Sequence, residues 1–314
     1  MFNQTMDKYA LTVENLSKIY SNSKSKKENN ALCNINFKVK QGEIFGLLGP
    51  NGAGKTTFLN ILGGTVEKTE GNVNVWGFNL DKNPRQVKAS IGIVPQEVNL
   101  DAFFSPKKLL ELQAGLYGIT KENRITDLIL KMVSLEKQAD AYSRNLSGGM
   151  KRRLLIAKAM VHQPPILILD EPTAGVDVEL RNNLWKNVKE LNNEGVTIIL
   201  TTHYLFEAQE MCDRIAIINK GNLVALDTTQ SLLDRIQTKN INFKVKDIKN
   251  KNFSKVEGIK LKINSNDSIT ITYDKKSLNF ESIIEYLNKN EVKVLDIVTD
   301  DGDLEDVFVQ LTNR

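Results

Sequence analysis

Residues Gly49 to Thr57 read GPNGAGKTT, which meets the spacing G-x-x-x-x-G-K-[ST] directly after the apolar run EIFGLL and before the helix-like run KTTFLNIL. Glycines there let the backbone curl so that successive N–H groups face an anion, at a helix N-terminus whose dipole favours negative charge. The loop members Gly49, Asn51, Gly52, Ala53, Gly54, Lys55, Thr56 and Thr57 are therefore candidates to hold phosphates. Lys55 should reach the β- and γ-phosphates of a nucleotide, and the Thr56 hydroxyl should ligate Mg²⁺. Chance produces the pattern in about one chain of this length in a hundred, and the flanking strand and helix lower that further.

Other residues suit work on the same phosphates. Asp170 and Glu171 close the apolar run ILILDEP. In open α/β sheets ligands sit beyond the carboxyl ends of the strands, so both acids can face the nucleotide. Asp170 suits Mg²⁺ through a water. Glu171 suits the attacking water as general base, a role worth ~10²–10⁴ in rate. The pair could instead cap a helix. His203 lies just past the next apolar run, VTIIL, at the same edge, where it could donate to a γ-phosphate; His162, in MVHQPP, reads as structural.

NLSGGMKRRLLIAKAM poses a separate question. It reads as a loop entering a helix, with Ser147 as cap and with Gly148 and Gly149 permitting close backbone approach. The first loop already encloses one nucleotide's phosphates. A second anion site becomes useful if it closes over a nucleotide held by another copy, and a two-fold dimer makes two such sandwiches.

The elements that must position these groups follow from periodicity. PPILILDEP and EGVTIILTTH are short, β-branched and bounded by Pro or Gly, the pattern of strands buried on both faces. ALTVENL and INFKVKQGEIFGLLG also predict strands, with Gln41-Gly42 as a turn, and RIAIINKGNLVALDT predicts a hairpin turning at Lys220-Gly221. The polar stretch from Ser21 to Asn30 predicts a solvated loop. From Ser105 to Ser143 the pattern is helical. Ser105 caps, Pro106 follows, and Ile125, Leu128, Ile129, Met132 and Val133 predict one buried stripe. Strands alternating with helices argue for an α/β domain over residues 8–230, helical near 97–150. Beyond it, INFKVKDI, IKLKIN and SITITYD alternate with period two. FESIIEYL and LEDVFVQL are amphipathic, the second through Leu304, Val307, Phe308 and Leu311. A separate α+β unit over residues 235–314 is expected.

Composition bounds the function. A chain of 314 residues holds one large domain and a small one, and 41% hydrophobic with 25% charged residues fits a globular protein. The net charge of +4 is dispersed rather than gathered into a patch, which argues against nucleic acid as a partner. Two cysteines, Cys33 and Cys212, offer no disulfide framework and suit a reducing compartment. The N-terminal residues do not read as a signal peptide, and no run approaches the ~18 apolar residues of a membrane span, so a membrane role is expected through a partner.

Taken together, these motifs resemble the ATP-binding cassette ATPases that power ABC transporters, over roughly residues 8 to 230. GPNGAGKTT matches the family's phosphate loop, LSGGM its signature sequence and ILILDEP its Walker B strand. IVPQE places Gln96 as the Q-loop, AGVD places Asp177 as the D-loop and TTH places His203 as the switch histidine. Met150 stands where the family most often has Gln. The resemblance implies a P-loop ATPase core with an antiparallel β subdomain and a helical subdomain, ATP and Mg²⁺ as ligands, and a second cassette chain as partner. It assigns Tyr20 to stacking on adenine, and Gln96 to Mg²⁺ and to sensing a transmembrane permease. Ser147, Gly148 and Gly149 it assigns to the γ-phosphate across the dimer, and Glu171 to hydrolysis. The tail, DGDLEDVFVQLT after a small β-rich unit, is similar to bacterial multidrug- and daunorubicin-type exporter ATPases, whose permease is a separate chain. That likeness implies a protein held at the cytoplasmic face of the membrane.

Overall fold

The computed structural model of the chain describes residues 8–21, 28–174, 176, 178–246, 248, 253, 256–265, 267–300 and 302–312, with 180 and 300 by backbone alone. The chain divides into two compact units, Met1–Asp227 and Thr228–Arg314.

The first unit is built on two sheets. β1 (Tyr9–Ser21), β2 (Glu28–Lys40), β4 (Glu70–Val75) and β5 (Phe78–Asn79) form an antiparallel sheet in the order β2-β1-β4-β5. The second sheet joins β3 (Ile44–Leu48), β6 (Ile91–Val94), β7 (Ile166–Asp170), β8 (Thr197–Thr201), β9 (Arg214–Asn219) and β10 (Asn222–Thr228) in the order β10-β9-β3-β8-β7-β6. β9, β3, β8, β7 and β6 run parallel. Every residue of β3 and β8 is buried, as continuous apolar runs in a covered parallel sheet require. The order puts β3 between β8 and β9, and β7 next to β8. The carboxyl ends of β3, β7 and β8 therefore emerge side by side. The turn at Gln41-Gly42 and the hairpin at Lys220-Gly221 form as expected, with Lys220 and Gly221 both at positive φ (47° and 77°).

The helices fall where periodicity put them, with one change of face. α1 (Lys55–Leu62) follows the glycine loop directly, and α2 (Pro84–Ala89) precedes β6. α3 (Pro106–Leu116) starts at Ser105, whose side chain accepts from the Lys108 N–H at 3.3 Å. α4 (Thr126–Met132) buries Thr126, Ile129 and Leu130, with Val133 just beyond, whereas Leu128 is 55% exposed. Apolar residues run round more than one side of this short helix, leaving two overlapping faces. Packing against Leu110, Leu135 and Leu154 selects the face through Leu130. The segment from Ser21 to Asn30 also departs from a plain loop. Ile19, Tyr20 and Ser21 pair with Asn30, Asn29 and Glu28, so β1 and β2 persist as a hairpin around residues 22–27, which lie outside the described residues. Ladder hydrogen bonds satisfy the backbone whatever the side chains are, and a solvated end of a hairpin needs no apolar alternation.

The second unit begins with the short helix α8 (Thr229–Leu233). It carries β11 (Thr238–Lys246), β12 (Ile259–Ser265), β13 (Ser268–Asp274) and β14 (Lys293–Asp300) as an antiparallel sheet in the order β12-β13-β11-β14. α9 (Phe280–Lys289) packs Ile283, Tyr286 and Leu287 onto Ile241, Phe243, Val245, Ile269 and Ile271, the alternate positions of β11 and β13. In α10 (Leu304–Thr312) Leu304 and Val307 are buried and Phe308 and Leu311 half-buried, the stripe read from the sequence.

Candidate functional site

The site grows from the end of β3. Two glycines of the loop are required by the fold itself. At Gly54 φ is 114°, and a Cβ would stand 2.4 Å from the Ala31 carbonyl oxygen; at Gly49 it would stand 2.2 Å from that of Ile218. The loop is therefore pinned against β2 and β9 by backbone contact. Lys55, at the start of α1, is only 7% exposed, and its Nζ donates to the Gly49 and Pro50 carbonyls at 2.6 and 3.2 Å. Burial pushes its pKa down, while the nearby carboxylates of Glu171 and Asp170 oppose the shift.

A cleft of about 850 Å³ opens beside this loop. Asn51, Gly52, Ala53, Gly54, Lys55, Thr56 and Thr57 line it from one side, and Gln96, Asp170, Glu171 and His203 from another. Tyr20 lines it too, with Asn29, Asn30, Ala31 and Lys220, which sequence reasoning did not single out. Asn29 and Asn30 belong to the hairpin end taken for a loop, so nothing in their spacing indicated a site, whereas Tyr20, on β1 opposite Asn29, is the residue that the family resemblance assigned to adenine. Gly49 lies behind the cleft and takes part through its carbonyl.

Glu171 is the centre of this arrangement. Its φ is 45°, a left-handed conformation that a residue with a side chain adopts at a cost of order 1–3 kcal/mol, a strain that clusters at active sites. Its N–H donates to the Thr201 carbonyl at 3.0 Å, anchoring the turn to the neighbouring strand. Its Oε2 accepts from Gln96 Nε2 at 2.9 Å and stands 3.1 Å from His203 Nδ1. Asp170 accepts from the Thr201 hydroxyl instead, so the adjacent acids have different partners.

The signature residues stand elsewhere. Ser147 caps α5 (Gly148–Met160), its oxygen accepting from the Met150 N–H at 3.3 Å, as the sequence implied. Ser147 and Gly148 are exposed, Gly149 is buried, and none of the three lines the cleft. A Cβ on Gly148 would meet nothing within 4 Å. Asp177 lies outside the described residues. His162 is remote from the cleft, stacked on Tyr117 with ring centroids 3.8 Å apart and its Nε2 3.1 Å from the Ile91 carbonyl.

Sequence reasoning also passed over Arg152, which holds two walls of the site together. It is 3% exposed, and its guanidinium donates to the carbonyls of Pro95 (2.9 Å), Gln96 (2.8 Å) and Glu171 (3.0 Å). One cation on α5 thus clamps the backbone of Gln96 and of Glu171, whose side chains meet at Glu171 Oε2. The available signal was its position: Arg152 shares the buried face of α5 with Gly149, Leu155, Ile156 and Ala159, and a charge on an apolar stripe must have partners. Arg152→Ala is expected to lose about 3 kcal/mol of stability. Arg152→Lys should regain only part of it, because an ammonium lacks the planar fork. Urea unfolding midpoints check both.

Comparison with known proteins places this geometry. The sequence profile described as ABC transporter matches residues 32–174. The chain is 34% identical over 318 residues to the linearmycin resistance ATP-binding protein LnrL of Bacillus subtilis, covering 97% of this chain and 98% of that one. It is 40% identical over 202 residues to the Nod factor export ATP-binding protein I of Burkholderia pseudomallei, covering 64% and 66%. Among solved structures, cbiO1 of Clostridium perfringens superposes with TM-score 0.64 at 30% identity, over 73% of this chain and 92% of that one. The cassette MJ0796, a dimer in a post-hydrolysis state bound to ADP and Pi, superposes with TM-score 0.61 at 27% identity, over 70% and 98%. Cassettes of this kind work as dimers. The chain belongs to the ATP-binding cassette family, of the drug-exporter ATPase type, and is the ATP-binding and ATP-hydrolysing subunit of an ABC transporter.

Proposed function

We propose that the chain hydrolyses ATP at two composite sites of a dimer and transmits dimer closure and opening to a separate membrane permease, driving export. The observation that carries this reading is the separation of the two phosphate motifs. The loop at Lys55 converges with Gln96, Asp170, Glu171 and His203 on one cleft, while Ser147 and Gly148 face open space outside it. A second chain can bring its own Ser147, Gly148 and Gly149 over that cleft.

Within each cleft the residues divide the work. Lys55 leaves the carbonyls it now occupies and pairs with the β- and γ-phosphates, supported by loop N–H groups. Glu171 aligns the attacking water, and His203 donates to the γ-phosphate. Tyr20 stacks on adenine, and Asp177, the D-loop residue, belongs to the nucleotide site. No group of three or more His, Cys, Asp or Glu side chains among the described residues stands close enough to hold a metal alone. That suits Mg²⁺, which takes one or two carboxylates and completes its shell with waters and phosphates. Thr56, Asp170 and Gln96 supply hard oxygen donors for it, and the ion when bound neutralises charge on the transferring phosphoryl group.

No helix among the described residues is long and apolar enough to cross a membrane. Attachment at the cytoplasmic face through the permease is part of the same proposal. The names of the relatives, a linearmycin resistance protein and Nod factor export proteins, support the export direction. The permease docks beside the helical part, at Phe103 and Phe104, exposed by 71% and 37%. Their backbone is fixed, with the Phe104 carbonyl accepting from the Ser143 N–H (2.9 Å) and hydroxyl (2.7 Å). The combined change Phe103→Asp and Phe104→Asp should reduce capture by the permease at least ~10-fold, as buried aromatic anchors do. ATP turnover of the isolated chain should be unchanged. Undiminished capture places the docking face elsewhere. The hydrolytic reading is tested by turnover of Glu171→Gln.

A further inference from the structure

A ring of contacts behind the cleft joins Glu171 and His203 to residues that have no part in the functions assigned so far. Thr173, two residues after Glu171, is fully buried, and its hydroxyl donates to Glu207 Oε2 at 2.6 Å. Glu207, on α7 (Leu205–Met211), is 3% exposed, and its other oxygen lies 3.1 Å from Arg181 Nε. Arg181 is one turn into α6 (Val178–Asn193), and its guanidinium lies over the Tyr204 ring, 5.2 Å from the centroid. The Tyr204 ring packs on the His203 ring with centroids 4.0 Å apart and planes at 38°. His203 closes the ring at Glu171 Oε2, 3.1 Å away.

We infer that Arg181 and Tyr204 are positioning residues for hydrolysis: they hold the His203 ring against Glu171 and tie that contact to α6. The chemistry of the ring explains why each member is needed. A carboxylate as buried as Glu207 requires a cation and a donor, and Arg181 and Thr173 provide them. Held on its carboxylate, the planar guanidinium presents a face to Tyr204, which an ammonium does not. Tyr204 in turn offers His203 an aromatic wall. His203 is otherwise half exposed and would sample several rotamers, most of them turned away from Glu171. The switch histidine is thus set from the α6 side, and any displacement of α6 is felt at Glu171.

This inference rests on the reading of His203 and Glu171 as the hydrolytic pair, and the experiment separates the two. ATP turnover is measured on the full-length chain for His203→Ala, Tyr204→Leu, Tyr204→Phe and Arg181→Lys, and for Tyr204→Leu combined with His203→Ala. Tyr204→Leu and Arg181→Lys should lower kcat about 10-fold to 100-fold with KM unchanged, the penalty of a misplaced catalytic group. Tyr204→Phe should restore the rate, since it keeps the ring. On the His203→Ala background Tyr204→Leu should add less than about 2-fold, because residues acting through one another are not additive. Thermal unfolding midpoints identify any variant that fails to fold, and Arg181→Lys, which keeps the charge on Glu207, then carries the test. A slow His203→Ala beside a normal Tyr204→Leu and Arg181→Lys overturns the positioning role alone. So does an additive double variant, or a change confined to KM. A His203→Ala chain at the wild-type rate overturns both the pair and this inference.

Discussion

Glu171→Gln should retain ATP binding and lose turnover by a factor of about 10²–10⁴, the contribution of a positioned general base. The amide has nearly the shape of the carboxylate, so the left-handed turn at residue 171 and its N–H bond to the Thr201 carbonyl (3.0 Å) should persist. What is lost is the ability to take a proton from water. Gln96 and His203 both point at Glu171 Oε2, at 2.9 and 3.1 Å, so the carboxylate is already oriented where the loop at Lys55 presents phosphate. Asp170 is no substitute, because it faces Thr201 and not these groups. Without hydrolysis the ATP-bound chains have no route to separate. Size-exclusion chromatography of Glu171→Gln with excess ATP should therefore show a dimer that wild type forms only transiently. Equal turnover in wild type and variant would remove Glu171 from the base role.

The second large effect concerns where the two halves of a site reside. Lys55→Ala and Ser147→Arg chains should each be almost inactive alone. Mixed one to one, they should recover roughly a quarter of wild-type turnover, because half of the dimers are mixed and one of the two sites in each is intact. The structure shows what each lesion removes. Lys55 is buried at the cleft, where its ammonium donates to the Gly49 and Pro50 carbonyls and lies near the Glu171 and Asp170 carboxylates, so its loss acts on phosphate binding. Ser147 is exposed at the start of α5, where a bulky cation gives up the cap bond to the Met150 N–H and blocks the helix N-terminus proposed to meet the partner's phosphate. The relative solved as a dimer with ADP and Pi has the same fold over 70% of this chain, which makes the exchange geometrically reasonable. No recovery in demonstrated mixed dimers would mean that each chain completes its own site.

The chemistry was legible in the amino-acid order because its requirements are local. A phosphate loop needs glycines at fixed offsets from a lysine and a hydroxyl, and a strand needs to deliver acids at its carboxyl end; both survive as short strings, GPNGAGKTT and ILILDEP. Strands buried on both faces and helices with a clear N-cap were legible for the same reason, as at Ile166–Asp170 and at Ser105. Where several residues could equally face the core the string was ambiguous, and α4 packed through Leu130 and not Leu128.

Only folding brought distant residues into register. Gln96, Glu171 and His203 lie on three segments, and they meet because β7 sits beside both β6 and β8 in the parallel order. Arg152 looked like one more basic residue until α5 buried it under the carbonyls of Pro95, Gln96 and Glu171. Glu207 and Arg181 come together only where α7 and α6 meet, which buries the carboxylate beside the guanidinium. Residue types and short spacings specify which reactions are possible, since bond chemistry acts over a few ångströms of chain. Which groups share one cleft, and which wait for a second chain, is a matter of long-range contacts that no short string encodes.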